Sequence, residues 1–584
     1  MTNSSSMPLR SVLFAAIISL FLGATTLPLI DRDEPRFSRA TVEMMEKNDW
    51  VIPWFNGEYR FDKPPLTYWL MRASYTVLGQ TELGARFHSI LSSIGVALVL
   101  LLWLRARGQQ RAGFLAAIVW LTILQVQLHG RLAVADMPLL FFLTVTQLAV
   151  FELLYPSPGL KRIFPFLPVV LGLSLGFGFL AKGPLAYLVP LLTVTFFRFA
   201  FHRQPVPWKQ LKPVTSLLVS IIPIAAWGIP ALIVTQGAFW NVGMGEHVID
   251  RGFDSFNSRS IIPGYYFLTI FLSFMPWWSW FGGTIWGNTI RWKSDPLHAF
   301  LASWAVSPFL IFLFYKTQLP HYTLPGFPAL AALIAIVLAT GKLDHRFARR
   351  WFWSTQIFWW ILIMGLTVFF FYPNWPESWA PVRNMFGWLL LCLFLLTLAP
   401  LCWKSQKPIL IRAMGYLILG SGLAFFQGSK LLRQVAIAPA VSHLKSQLGD
   451  EPSLMAYGFT EPSLVFYTDA YWQMLHRPED TIRELESTNE GLAVVLEKET
   501  PLFEWLISEW SGNELKRVKN YQEKLREAKA SGTSPLLTVP IAGFNTARIS
   551  WSECQVWIKT PLVGSSPIPT DASSDVDKPA DIRK

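Results

Sequence analysis

The sequence predicts an all-α polytopic membrane protein with about 13 transmembrane helices, followed by a small soluble α/β domain. Three observations predict it. Of the 584 residues, 52% are hydrophobic and only 15% are charged, against roughly a quarter charged in an average soluble domain. The apolar residues gather in runs of 17 or more. At about 1.5 Å per residue, such runs reach across a hydrocarbon core of about 30 Å. Finally, basic residues concentrate in alternate short loops, as the positive-inside rule requires of a multi-pass chain.

The runs fall at 11–30, 84–104, 112–128, 137–154, 164–180, 184–201, 214–234, 263–284, 297–315, 321–340, 352–372, 385–403 and 408–427. The first follows Arg10 and shows no small-residue cleavage pattern before Asp31, so it reads as an uncleaved signal anchor. With the N-terminus in the cytoplasm, the inner loops carry 17 Lys and Arg, among them Arg105, Lys209 and Arg350. The short outer loops carry four: Arg131, Lys182, Lys316 and Arg383. This places the protein in the inner (plasma) membrane, with its long loops and C-terminal part on the periplasmic side.

Three units follow. Residues 1–427 form the transmembrane domain, with 31–83 as a first outer loop carrying interface helices. Residues 428–560 form an α/β domain, in which Lys430–Leu448 is helix-like. Ser453–Tyr457, Leu492–Leu496 and Gln555–Ile558 suit strands. Residues 561–584, rich in Ser, Pro and Asp, read as a disordered tail.

The net charge of +12 suggests nucleic acid at first sight. The basic residues, however, lie mostly in loops that set topology, so no nucleic acid is expected. Three cysteines without a Cys-x-x-Cys or zinc-type spacing support neither a disulfide framework nor a thiol metal site.

The densest chemistry is in the first outer loop. Asp33 and Glu34 precede Pro35, a pattern that starts a helix with acid at the cap and proline in the first turn. Phe37, Ala40, Thr41, Met44 and Met45 then recur at helical spacing, predicting an amphipathic helix in the membrane interface. Asn56-Gly57 marks a turn, and a second short helix follows Pro64-Pro65. Capping accounts for one acid. It does not account for Arg36 and Lys63 in the same loop. Acids beside cations at a membrane surface suit chemistry on a phospholipid-linked substrate, where the acid takes a proton and the cations hold phosphate oxygens. Trp277, Trp278 and Trp280 could form a stacking platform, but an interfacial or packed aromatic cluster is the favoured reading.

The run DEPRF…NDWVIPWFNGEYRFDKPPLTYWL resembles the membrane-embedded glycosyltransferase family 39, which includes lipid A aminoarabinose transferases (ArnT-like enzymes) and protein O-mannosyltransferases. Asn48 stands where the family has Gly before Asp-Trp. The likeness continues in RLAVADMPL (131–139), FLAKGPLA (179–186), EHVIDRGF (246–253) and KTQLPHYTLPGFP (316–328), where Gln318 replaces a usual Lys. It covers about 10–340.

The resemblance implies a GT-C fold, a sugar donor on a polyprenyl (undecaprenyl) phosphate and inversion at the anomeric centre. The acceptor would be an envelope lipid, glycan or protein. Asp33 is then the expected base, with Glu34 or Asp136 orienting it or holding a metal. Arg36, Lys63, Arg131, Lys182, Arg251, Lys316 and Tyr322 are the expected substrate contacts. Snorkelling to the interface would explain any single Lys or Arg equally well. A divalent metal at Glu246, His247 and His321 is a further candidate, on donor chemistry rather than a recognised spacing. A monomer bathed in membrane lipids is expected. The charge-derived topology independently puts Asp33, Lys63, Asp136, Lys182, Glu246, Arg251 and Lys316 on one face. A transporter or flippase for a lipid-linked substrate would also want cavity charges. It fits less well, because no internal repeat or pair of broken helices is evident.

Overall fold

The computed structural model describes residues 7–160, 162–201, 205–243, 264–289, 295–313, 315, 318–340 and 346–371. It also describes scattered positions in 384–394 and, in the C-terminal part, 426, 428–430, 432–434, 435–449, 452–502, 504–505, 519–520, 523 and 537–559. It is a multi-span helical membrane protein carrying a small mixed sheet. Among the described residues, seven helices are long and apolar enough to cross a bilayer, and Arg10–Phe21 and Leu185–Phe199 are shorter apolar helices.

The helices that position the site are α1 (Met7–Phe21), α2 (Asp33–Glu46), α3 (Leu66–Leu78), α4 (Glu82–Ala106), α5 (Gln110–Thr122), α6 (Leu124–His129), α7 (Asp136–Leu154), α8 (Leu167–Lys182), α9 (Leu185–Phe196) and α10 (Pro213–Val234). Later come α11 (Tyr265–Ser273), α12 (Phe281–Thr289), α13 (Pro296–Leu313), α14 (Phe327–Thr340) and α15 (Arg346–Phe371). A buried apolar cluster from Val12 to Trp359 binds α1, α4, α5, α7 and the later helices together.

Three expected spans are interrupted. The first helix stops at Phe21 and the chain turns at Gly23, whose φ of 81° suits a residue without Cβ. The run 112–128 breaks at Ile123, which is extended and lies beside the bond from the Leu124 amide to the Met275 carbonyl. The run 263–284 breaks at Pro276, between α11 and a short 3-10 turn Trp277–Trp280. Apolar composition cannot register such breaks, because a buried irregular segment is as hydrophobic as a helix. The expected spans at 385–403 and 408–427 fall mainly outside the described residues, as does the expected tail. Trp277 and Trp278 are buried, with Trp278 packed against Phe271 and Trp359, so the aromatic run is packing.

In the first outer loop, Asn56 and Gly57 have φ of 55° and 82° and close a hairpin between β1 (Trp54–Phe55) and β2 (Glu58–Tyr59), as an Asn-Gly pair favours. The helix α2 does not lie free in the interface. Its polar residues Arg39 and Glu43 are buried, because the C-terminal domain covers that side.

The C-terminal domain begins with α16 (Ile437–Lys445) and continues through β3 (Ser453–Tyr457), α17 (Pro462–Thr468), β4 (Gln473–Leu475), α18 (Pro478–Ser487) and β5 (Gly491–Pro501) to β6 (Lys519–Asn520), β7 (Leu537–Asn545) and β8 (Ser550–Lys559). The sheet order is β4-β3-β5-β8-β7, with β6 beside β5. The βαβ half is parallel and the β5–β8–β7 half antiparallel. Its apolar core includes Val441, Leu464, Val494 and Val556.

Candidate active site

A cavity of about 1790 Å³ opens between the 31–83 loop, the N-terminal end of α7, the C-terminal end of α8, the C-terminal half of α10, the turn at Pro320–Gly326, and the β7–β8 turn of the C-terminal domain. Its wall includes Asp33, Arg36, Lys63, Asp136, Lys182, His321 and Tyr322. Side chains from four separated segments of sequence therefore meet in one chamber.

Asp33 is the first residue of α2 and is exposed to the cavity. The cap position belongs to Arg32, which makes no side-chain capping bond. The Asp33 carboxylate is therefore not tied into the cap. It sits where the helix dipole favours negative charge. One turn on, Arg36 also faces the cavity. Burial and the neighbouring Arg60 lower its pKa, while Asp33 and Asp62 act to raise it. Arg60 pairs with Asp62 at 3.1 Å, donates to the Tyr68 hydroxyl at 3.0 Å and stacks over Phe37. The segment Arg60-Phe61-Asp62-Lys63 thus lays alternate charges along the wall.

Glu34 is placed elsewhere. It is buried and absent from the cavity wall. Arg86, itself fully buried, donates to both its oxygens at 2.8 Å. Glu34 also accepts from the amides of Ile30 at 2.8 Å and Ala133 at 2.7 Å. All its acceptor capacity is directed at protein, so it joins the loop to α4 and the 131–135 segment. Arg131 is likewise not on the wall. It is buried and donates to main-chain carbonyls of Ser19, Leu22 and Gln127, fastening the end of α1 to the end of α6.

Asp136 opens α7 and Lys182 closes α8, and their side chains meet at 2.6 Å. An acid at a helix N-terminus and a base at a helix C-terminus each complement the local dipole. Gly183 follows with φ 75° and ψ −147°, a conformation essentially confined to glycine, and Pro184 then caps α9. This explains the Lys-Gly-Pro order: the lysine is presented at a chain reversal that needs the glycine.

His321 lies in the 3-10 turn, its ring 4.7 Å from that of His129, and Tyr322 packs on Phe312 at 4.6 Å. Asp136 lies within electrostatic reach of both imidazoles. No set of three or more His, Cys, Asp or Glu side chains able to hold a metal occurs among the described residues. Glu246, His247, Arg251 and Lys316 lie outside the described residues.

Sequence reasoning missed Arg60, Asp62 and the C-terminal contribution. The first two carried a signal, since they flank Phe61 in the same motif as Lys63. The third carried none. Glu499, Pro501, Ala547, Arg548, Ile549 and Ser550, more than 400 residues from the first loop, also line the cavity. Away from the charges the wall becomes apolar, with Leu185, Leu188, Ile224, Ile229 and Leu232 from α9 and α10.

The geometry can be compared with known proteins. A family model described as dolichyl-phosphate-mannose-protein mannosyltransferase matches residues 62–229. A protein of Aeromonas hydrophila named undecaprenyl phosphate-alpha-4-amino-4-deoxy-L-arabinose arabinosyl transferase is 28% identical over 354 residues, 59% of this chain and 63% of its own. Its namesake from Yersinia enterocolitica is 28% identical over 330 residues, 55% of this chain and 58% of its own. The matches thus span less than two thirds of these relatives. The crystal structure of ArnT from Cupriavidus metallidurans bound to undecaprenyl phosphate superimposes with a TM-score of 0.78 at 17% identity, covering 97% of this chain and 100% of that one. The chain has the ArnT-like GT-C fold. In its apo state the same ArnT gives a TM-score of 0.75. The ArnT-like fold here extends beyond the sequence matches to take in the C-terminal domain, because the structural superposition covers nearly the whole chain.

Proposed function

We propose that this protein transfers a sugar from a polyprenyl (undecaprenyl) phosphate carrier to an envelope lipid, glycan or protein acceptor at the periplasmic face. One observation carries the reading: Asp33 and the cations Arg36, Lys63 and Lys182 share a chamber whose remaining wall is apolar. A lipid phosphate bearing a sugar has that same division. The names of the relatives, and the carrier lipid in the ArnT crystal structure, support it.

Asp33 takes the proton from the acceptor hydroxyl or amine. That atom attacks the anomeric carbon as the bond from this carbon to the phosphate oxygen breaks. The phosphate leaves with the electron pair, held by Arg36, Lys63 and Lys182. Direct displacement inverts the centre. A phosphate is a good leaving group, so one base suffices and no acid is needed. Asp136 positions Lys182 and balances its charge. Arg251, Lys316 and Tyr322 complete the substrate contacts. A divalent cation at Glu246, His247 and His321 belongs to the same proposal, tested by loss of activity on EDTA dialysis and its return with added metal.

The chain crosses the inner membrane 13 times, works as a monomer, and keeps its N-terminus in the cytoplasm. Its site and C-terminal domain face the periplasm. The deciding experiment is mass spectrometry of envelope lipids, glycans and glycoproteins from cells carrying the wild type or Asp33→Asn. The variant should lose most or all of one sugar modification. An unchanged envelope, or a sugar-lipid redistributed across the bilayer with transfer intact, would favour a flippase and sink the reading.

A further inference from the structure

The β7–β8 turn, Asn545–Ser550, reaches from the C-terminal sheet into the cavity. It is held from several sides. Arg548 donates to Glu461 at 3.1 Å and to Glu499 at 3.1 Å, and to the Gly458 carbonyl at 3.2 Å. Asn545 donates to Glu461 at 3.1 Å and accepts from the Ala547 amide at 2.9 Å. Ser550 donates to Glu499 at 3.0 Å, and the Leu502 amide donates to the Ile549 carbonyl at 2.9 Å. Within this scaffold Ile549 has φ 52° and is 60% exposed.

A β-branched residue in the left-handed region is a genuine outlier, and glycine would sit there with less strain. Packing does not explain the isoleucine, since most of its side chain is bare. Strain of this kind persists where surrounding bonds over-determine it, and it gathers at ligand clamps. The Asp31 amide donates to Thr546 of this turn at 3.0 Å, so the turn stands beside Asp33, the group assigned as base, and what it meets is the acceptor whose proton that base takes.

We infer that Ile549 is a specificity-determining residue that packs on the head of an envelope glycolipid acceptor, with Arg548, Glu461 and Glu499 positioning the turn. The identity of the occupant rests on the sugar-transfer reading; the contact itself does not.

The test uses the full-length protein in proteoliposomes, with purified lipid A as probe. A photo-reactive benzophenone amino acid at position 549 should yield a lipid A adduct. The same group at Arg483, exposed and off the cavity wall, should yield none. In parallel, Ile549→Gly should raise the lipid A concentration needed for half-maximal transfer by roughly tenfold or more. It should leave undecaprenyl phosphate binding unchanged and thermal stability equal or higher, since glycine relieves the strain. A merely structural role would instead lower stability. No adduct at 549, equal adducts at both positions, or an unaltered acceptor requirement overturns the inference. If no sugar transfer occurs at all, the functional reading fails, and the crosslink alone then decides this one.

Discussion

Asp33 and Glu34 are neighbours with nearly the same chemistry and opposite employment. Glu34 accepts four hydrogen bonds from buried groups, while Asp33 faces open space in the cavity. Their substitutions should therefore separate. Asp33→Asn should lower kcat about 10²–10⁴-fold, the usual contribution of a general base, with the melting temperature unmoved. Glu34→Gln leaves the Arg86 charge buried with a neutral partner, and should destabilise the fold by about 3 kcal/mol. Paired activity and thermal-shift measurements check both. Equal stability of the two variants would contradict this division. The sequence could not assign the roles, since both acids stand beside the same proline. The partner that distinguishes them, Arg86, is 52 positions from Glu34 on a helix read only as a membrane span.

At the scale of elements, helix ends do most of the positioning. The Asp136–Lys182 pair exists because α7 begins where α8 ends, and Gly183 turns the chain there. Gly183→Ala should cost about 1–3 kcal/mol of strain and shift Lys182. The expected reading is a raised KM for the carrier with a smaller change in kcat. Lys63→Ala removes a charge-assisted contact to phosphate and should weaken undecaprenyl phosphate binding roughly 10–100-fold, as measured by equilibrium binding in detergent. The Lys-Gly-Pro signal was legible because glycine and proline have conformational meaning wherever they stand. The interruptions at Ile123 and Pro276 were less so, since a long apolar run dominates any window drawn over it.

At the scale of the whole molecule, the C-terminal domain is a wall of the site rather than an appendage. It docks through reciprocal bonds between Asn56 and the Trp472 main chain at 2.8 Å, through Tyr467 to the Leu29 amide at 2.8 Å, and through Arg433 to Glu82 at 3.2 Å. Arg39 of α2 reaches Asp469. Asp31 accepts from the Ser463 amide at 2.9 Å and donates its own amide to Thr546. Burial pushes the Asp31 carboxyl up to about 7, against the lowering pull of the Ser463 hydrogen bonds. A raised carboxyl pKa means that the docked state binds more protons than the undocked state between the ordinary value near 3.8 and about 7. Docking should thus weaken as pH rises through that window. The protection of the Leu29 and Ser463 amides, measured relative to their intrinsic exchange rates, should fall from pH 5 toward pH 8, and Asp31→Asn should abolish that fall. Protection flat with pH in the wild type would refute it.

From the sequence alone came what composition and local conformation determine: a membrane-spanning helical chain, a hairpin at Asn56-Gly57 and an acid–base loop bearing Asp33 and Lys63. These depend on residues a few positions apart, or on averages over a span. Tertiary structure alone decided that Glu34 and Arg131 are buried off the cavity wall, that Arg60 and Asp62 join it, and that Arg548 and Ile549 line the chamber from the far end of the chain. The physical reason is that a buried charge takes its role from the partner that neutralises it. In this fold that partner arrives through packing, from segments whose local sequence carries no trace of the meeting.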